Sequence, residues 1–351
     1  MTVETRLPET VREVRLAAVP EGVPAAEHFA VAEVPLPVPG DGELLVRNRR
    51  FLLHPGIRTL IAAVPGTPLP AIAPGGTLPG LAVGEVVAAA GGDGPRPGQL
   101  VAHPLSWREY AAVPVDAARV LDTAALPDPS AHLSQGEAAY GAFTRVAGLR
   151  PGETVLITGG AGSVGSLAGQ IARLLGAARV IGTTGSPEKA ELMVRRYGYH
   201  AALLRGPAAA GRSIGDQLAE AAPDGVDVVL DNVGGEQLEA ALDHARAGAR
   251  VVLLGALSGQ LAADSDGGGR PVRFDSFAAV LRRLTLTGYQ ATAHPDVTDA
   301  WTERFARWLA DGAITFPVTE VPGIAAAPRA LQDLLTGRHT GTVVVDLDGA
   351  S

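Results

Sequence analysis

The spacing of apolar positions divides the chain into regions of different rhythm. Over residues 1 to about 125, short apolar strands such as ELLVRN (43–48) and LAVGEVVAAA (81–90) alternate with Pro/Gly turns, which predicts a mainly β region. The stretch AAVPGTPLPAIAPGGTLPG (62–80) carries too much proline and glycine for a regular element and is expected to form a long surface loop. From about 151 strands alternate with helices. TVLITG (154–159) reads as a buried strand, and after it Val164, Leu167, Ala168, Ile171, Leu174 and Leu175 recur at the spacing of one helix face. RVIGTTG (179–185) is the next strand, and Ala190, Met193 and Val194 mark one face of the following helix. VDVVLDNVG (226–234), RVVLLGA (250–256) and RLTLTGY (283–289) read as further strands, with ADSDGGGRPVR (263–273) interrupting as a flexible loop. Helices are expected around 298–311 and 325–335, then a strand at TVVVDL (342–347). Strands alternating with helices imply a parallel, doubly wound sheet, so the fold class is α/β.

Composition narrows the function classes. A chain of 351 residues suffices for one large domain or two ordinary ones. A formal net charge of −8 without a basic stripe argues against a general nucleic-acid binder. No apolar run reaches the ~18 residues of a membrane span, and Glu4, Arg6, Glu9 and Arg12 break up the N-terminus. Neither signal peptide nor membrane anchor is expected, and the cytoplasm follows by default. The cysteine count is zero, which excludes disulfides, a thiol nucleophile and thiolate ligation of zinc. The eight histidines show no ligand spacing, so no metal is expected.

The chemistry gathers after the first strand of the alternating region. GGAGSVG (159–165) sets Gly159, Gly162 and Gly165 three apart between a strand and a helix. Such a loop turns tightly, lets backbone approach a ligand, and aims the amides of the helix start, Ser163, Val164 and Gly165, at a pyrophosphate; the bland alternative is a structural turn. A site for NAD usually places Asp or Glu about 20 residues further on, at the tip of the second strand. Here that tip reads Thr184, Gly185 and Ser186, with no carboxylate. Ser186 suits an N-cap and Pro187 the first helical position. Lys189 then falls in the first helical turn, and it is the only lysine in the chain. A cation there opposes the helix dipole, so either it lies on a solvated face or an anion offsets it. With Arg205 expected at the end of the next strand, the tip suits a phosphate, and the 2′-phosphate of NADPH is the expected partner.

Related nucleotide folds fall away. A Tyr-x-x-x-Lys pair is absent, since Gly185 precedes Lys189 by four, and no P-loop is present. What remains, along nearly the whole chain, resembles the zinc-independent branch of the medium-chain dehydrogenase/reductases, in particular the prostaglandin reductase, leukotriene hydroxydehydrogenase and alkenal double-bond reductase family. The resemblance rests on GELLVRN (42–48), VGEVVA (83–88), ITGGAGSVGSLAGQIA (157–172), GSPEK (185–189), DNVGGE (231–236), LLGALS (253–258), LTGYQ (286–290) and LLTGRHTGTVVV (334–345). It implies a GroES-like, mainly β catalytic domain from residues 1–125 and 312–351, a Rossmann NADPH-binding domain at 126–311, and a homodimer. It further implies hydride transfer from NADPH to the β-carbon of an α,β-unsaturated ketone, aldehyde or thioester, with a proton then taken at the α-carbon. By position it sets Asn232 and His339 against the cofactor, the backbone of Gly255, Ala256 and Leu257 beside the nicotinamide half, and Tyr289 by the ring. On residue chemistry alone Asn232 also reads as a helix cap, and Tyr289 as a core aromatic.

Departures from the family pattern cluster on the substrate side. Where relatives have Asp-Pro-Tyr-Met-Arg, the chain has His54, Pro55, Gly56, Ile57 and Arg58, and His54 reads as a loop histidine. Gly259 and Gln260 stand where many relatives carry a tyrosine, and His339 and Thr342 replace a tail asparagine and lysine. Arg205 replaces a phosphate-binding tyrosine and still fits an anion. The proton donor is therefore open among Tyr289, His339, Ser258, water and a substrate-borne group. Two other readings stay beside the conjugated-alkene reductase: a quinone oxidoreductase on the same fold, and an NADPH-binding protein or cyclase without redox turnover.

Overall fold

The computed structural model describes residues 7–65, 67, 70–89, 94–262 and 267–349. The chain forms two compact units. The first comprises Met1–Leu133, Thr319–Arg338 and Val343–Ser351, and the second Ser134–Val318 and His339–Thr342.

The first unit is mainly β. Thr10–Leu16 pairs antiparallel with Phe29–Pro35, and a separate seven-stranded sheet is organised around Glu43–Leu52. That strand pairs antiparallel with Ala82–Ala89, Tyr110–Pro114 and Thr342–Asp346. Alternation explains its inner face: Leu44 and Val46 turn inward onto Val86, Val101, Ala111 and Val113. Residues 57–61, just before the expected 62–80 loop, form a short helix; of that loop, 66, 68 and 69 lie outside the described residues.

The second unit holds a six-stranded parallel sheet: β1 (Thr154–Ile157), β2 (Arg179–Thr184), β3 (Ala201–Leu204), β4 (Val226–Asp231), β5 (Ala245–Leu253) and β6 (Thr285–Gly288). Its spatial order is β3-β2-β1-β4-β5-β6, with every pair parallel. This is the doubly wound order, whose switch point lies between β1 and β4. Helices α1 (Ser163–Leu174), α2 (Pro187–Arg196), α3 (Ile214–Ala221) and α4 (Gly235–Asp243) connect the strands, followed by α5 (Leu257–Gln260), α6 (Ser276–Arg282) and α7 (Asp296–Ala310). On one side of the sheet, Leu156, Ile181, Val229 and Val251 meet Ile214, Leu218, Leu238 and Ala241 from α3 and α4. Each fully buried Leu or Ile contributes roughly 1.5–3 kcal/mol.

Three expectations need correction. The α1 face was drawn too narrow: Gly165 through Ala172 are all buried, whereas Leu174 is exposed. Gly165 and Gly169, four apart on one face, let that helix lie directly against the glycine turn and Tyr199, so burial extends beyond the apolar stripe. In α2 the inner face runs through Ala190 and Met193 to Tyr197, and Val194 is exposed. The strand expected at 250–256 begins at Ala245, through a register shift opposite Val226 and Val228 that a simple alternation does not reveal. Of the loop expected at 263–273, residues 263–266 lie outside the described residues.

Candidate functional site

The carboxyl ends of β1, β2, β4 and β5 bring together most of the residues singled out by sequence. Beyond β1 the chain turns at Gly159, whose φ of +68° lies in the left-handed region that glycine tolerates. Gly159 N donates to Thr183 Oγ1 at 3.0 Å and Gly160 N to the Thr183 carbonyl at 2.9 Å. Gly162 N closes the turn onto the Gly159 carbonyl at 3.1 Å. Those three amides are thus committed, two to Thr183 of β2 and one within the turn. Helix α1 then starts with Gly162 as N-cap and no side chain capping it, so the first turn of α1, from Ser163 through Val164 and Gly165, is the part suited to an anion.

The three motif glycines have different reasons to be glycine. At Gly165 a Cβ would sit 2.3 Å from the Gly159 carbonyl oxygen, so only glycine packs. At Gly162 a Cβ would make only an ordinary 3.5 Å contact, and its φ of −80° suits any residue. The protein itself does not demand glycine at 162; close approach of a ligand would. Tyr199, unforeseen from sequence, is fully enclosed and donates from its hydroxyl to the Gly165 carbonyl at 2.7 Å. Its ring fills the space that a Cβ on Gly169 or Gly182 would need.

At the tip of β2, Thr184 is buried and Gly185 exposed. Ser186 caps α2 by accepting from Lys189 N at 3.3 Å, with Pro187 at the first helical position. The Ser186 hydroxyl in turn donates to the exposed Glu188 carboxylate. Arg205 follows β3, its N–H bonded to the Thr184 carbonyl at 3.0 Å. Its guanidinium lies over Gly185, where a Cβ would come within 3.4 Å of Cζ and Nη2. Lys189 is half-buried and donates from Nζ to the His339 carbonyl at 2.6 Å. Burial pushes the Lys189 ammonium pKa down, and the neighbouring Arg205 pushes it further. Two neighbouring cations beside a strand tip without a carboxylate of β2 make a place where an anion is stabilised, with the exposed Glu188 carboxylate taken up by Ser186.

The tip of β4 is a hydrogen-bonded knot. Asn232 donates from Nδ2 to the Thr158 carbonyl at 2.8 Å and from its backbone to Thr158 Oγ1 at 2.8 Å. It is therefore anchored to β1 rather than capping α4. The loop is held instead by Asp231, whose carboxylate accepts from Thr158 Oγ1 and from the Val233 and Gly234 amides. Burial raises the Asp231 pKa, and those donors oppose the rise. The site residues expected from the sequence include neither Asp231 nor Thr183, whose hydroxyl donates to Gln237 Oε1. An Asp ahead of a Gly-Gly pair was the available signal, since Gly234 and Gly235 both adopt positive φ.

Across from it, the 254–258 backbone is zipped to β4. The Leu254 and Gly255 amides reach the Asp231 carbonyl, Leu257 N the Asn232 carbonyl and Ser258 N the Val233 carbonyl. A Cβ at Gly255 would come within 2.7 Å of the Asn232 carbonyl oxygen, and Ala256 is the N-cap of α5. The Gly255 and Leu257 amides thus face the neighbouring strand end and not open space.

The three candidate donors fare differently. Ser258 Oγ commits its proton to the Val233 carbonyl at 2.7 Å. Tyr289 is only 5% exposed and stacks on His294 at 5.1 Å, with its hydroxyl against Gly141 and without a hydrogen-bond partner. Burial, then Glu137 and Asp296, push its phenol pKa up. His339 is half-buried beside the lysine through its carbonyl, with Nε2 shielded from solvent. In the first unit, His54 is exposed and its Nδ1 accepts from Gly56 N at 2.9 Å, fitting a loop histidine. Among the described residues no group of three or more His, Asp or Glu could hold a metal ion, and no helix is long and apolar enough to cross a membrane.

Comparison with known proteins agrees with this architecture. Residues 12–121 match the model of an N-terminal domain of oxidoreductases, and residues 163–310 that of a zinc-binding dehydrogenase. An NADP-dependent oxidoreductase of Bacillus subtilis, YfmJ, is 31% identical over 97% of this chain and 98% of its own. A 2-alkenal reductase (NADP⁺-dependent) of Nicotiana tabacum is 26% identical over 89% of this chain and 90% of its own. The crystal structure of CurA from Vibrio vulnificus in complex with NADPH superposes with a TM-score of 0.84 at 26% identity, covering 96% of this chain and 99% of that one. With a doubly wound unit, an antiparallel β unit and full-length similarity, the chain belongs to the zinc-independent medium-chain dehydrogenase/reductases.

Proposed function

We infer that this NADP-dependent oxidoreductase reduces the conjugated C=C bond of an α,β-unsaturated carbonyl compound: an enone, enal or enoyl thioester. The observation that carries the cofactor half is the phosphate-shaped strand tip, where Lys189 and Arg205 meet Gly185 and Ser186 without a carboxylate of β2 between them. Gly162, a glycine the protein does not need for its own packing, supports close approach of a pyrophosphate to α1. The alkene half rests on kinship, because a relative matched over most of its length is a 2-alkenal reductase.

When bound, NADPH supplies a hydride for the β-carbon. The chain's own residues bind and orient. The first turn of α1 receives the pyrophosphate. Lys189 and Arg205 hold the 2′-phosphate, and Asn232, its amide fixed by Thr158, meets the nucleotide with the 254–258 backbone as a rigid wall. With the Ser258 proton engaged and the Tyr289 hydroxyl sealed in, we assign the α-carbon proton to solvent. The family reading also carries a homodimer.

Following NADPH consumption against enals, enones, quinones and enoyl thioesters, with product masses, tests this. A product heavier by two hydrogens across the alkene supports the reading. Turnover of quinones alone would replace it with quinone reduction. Tight NADPH binding with substrate converted and NADPH intact would favour the non-redox role.

A further inference from the structure

The short segment His339–Thr342 reaches the second unit from late in the sequence and lies along the glycine turn. Gly341 N donates to the Ala161 carbonyl at 2.9 Å, and Gly162 and Gly341 form an isolated parallel bridge. The Ser163 and Thr342 hydroxyls meet at 2.8 Å, and Thr342 N donates to the Pro317 carbonyl at 2.9 Å. Thr342 is completely buried. The other end of this strap is the His339 carbonyl, tied at 2.6 Å to the ammonium of the chain's only lysine.

We propose that Lys189 is a positioning residue that passes recognition of the 2′-phosphate to the His339–Thr342 strap, so that NADPH, and not NADH, secures the strap on the glycine turn. The proposal rests on the assignment of Lys189 and Arg205 to the 2′-phosphate. An ammonium carries three N–H donors, so one lysine can hold a carbonyl and a phosphate oxygen together. A long side chain loses its rotamer freedom once, and a second bond formed by the same ordered ammonium costs little more. The two bonds therefore reinforce each other, and by linkage a secured strap tightens the phosphate as much as the phosphate secures the strap. Arg205 holds no strap atom in this way; its role ends at the anion.

Arg338 is exposed and immediately precedes the strap, which makes the Arg338–His339 bond a trypsin site whose cleavage reports strap opening. Cleavage at that bond would be followed by mass spectrometry in the full-length protein, free and saturated with NADPH or NADH. NADPH is expected to slow it about tenfold, and NADH to leave it near the free rate. Lys189→Ala should raise cleavage of the free protein about tenfold and erase the difference between cofactors. Thr342→Val, which removes the hydroxyl contact to Ser163 and leaves Lys189 in place, should also raise cleavage of the free protein, but NADPH should still slow that cleavage more than NADH does. Parent-rate cleavage in free Lys189→Ala, or NADPH accelerating cleavage by drawing the lysine off the carbonyl, would overturn the proposal. Binding titrations separate its foundation: equal losses for NADPH and NADH in Lys189→Ala would overturn the phosphate assignment, and with it the coupling, whatever the strap does.

Discussion

At the scale of the residue, the rarity of a side chain and its burial carry different kinds of information. A single lysine among the 29 Lys and Arg side chains, at a position the helix dipole disfavours, singles out the tip of β2 from the sequence alone, and in the structure Lys189 is half-buried there near Arg205. Its bond to a backbone carbonyl 150 residues later was not legible, because nothing in a carbonyl's sequence position records where the chain returns. For Tyr289, which the family resemblance sets by the ring, the structure shows the hydroxyl buried against Gly141 with no partner. Removing an unsatisfied buried hydroxyl leaves no acceptor stranded, so Tyr289→Phe should be neutral or stabilising by up to about 1 kcal/mol, with kcat unchanged. A kcat drop of tenfold or more, with an unaltered denaturation midpoint, would restore Tyr289 as proton donor. Arg205→Ala tests the other cation: NADPH affinity should fall about tenfold while NADH affinity holds, read by fluorescence titration. Equal affinities in variant and parent would remove Arg205 from the site.

At the scale of elements, the alternation of strands and helices was legible because the central strands β1, β2 and β4 are buried on both faces and read as largely continuous apolar runs, whereas the edge strand β6 is mostly exposed. Burial on α1 was legible only in part. Its expected apolar stripe misses Gly165 and Gly169, which are buried because the turn and Tyr199 close over them, and Gln170, whose amide is taken up by Thr315. Small residues carry no hydrophobic signal, so close packing of this kind stays invisible to periodicity. The turn nonetheless makes a sharp prediction. Gly165→Ala would drive a Cβ to 2.3 Å from the Gly159 carbonyl oxygen and against Gly160 backbone, none of which can swing aside. Overpacking there should cost about 1–3 kcal/mol and displace the first turn of α1, lowering affinity for NADPH and NADH alike. Gly162→Ala meets no such clash, so it should keep the denaturation midpoint of the parent and lose only cofactor binding. If Gly162→Ala unfolds as readily as Gly165→Ala, the ligand-based reading of that glycine fails.

At the scale of the whole molecule, two properties reach beyond any one element. A homodimer, proposed from the family resemblance, would have a candidate surface: β6 is the outer strand of its sheet, and α6, packed against β5 next to it, exposes Phe277, Val280 and Leu281, with Val280 69% exposed. An open strand edge flanked by apolar side chains is a surface natural proteins cover, and a second copy can supply both strand and apolar face. Light scattering should then give twice 35.8 kDa, shifted towards the monomer by Val280→Asp; a monomer at all concentrations would sink the dimer. The second property is acid sensitivity, and it resides in the β-rich unit. His103 is buried, with Nε2 on Asn48 Oδ1 at 2.8 Å and Nδ1 accepting from Leu105 N at 3.2 Å. Both ring nitrogens are thereby committed to the neutral form. Burial, helped by Arg108, lowers its pKa from 6.5 to about 4. A group depressed in the folded state binds its proton first in the unfolded chain. The stability it protects is complete above about pH 6.5 and is lost progressively as pH falls towards 4. The loss amounts to roughly 3 kcal/mol. Urea denaturation across that range should show the decline, and His103→Gln, which cannot titrate, should show a shallower one. The same slope in both proteins would mean that other groups, and not this buried imidazole, set the acid limit of the fold.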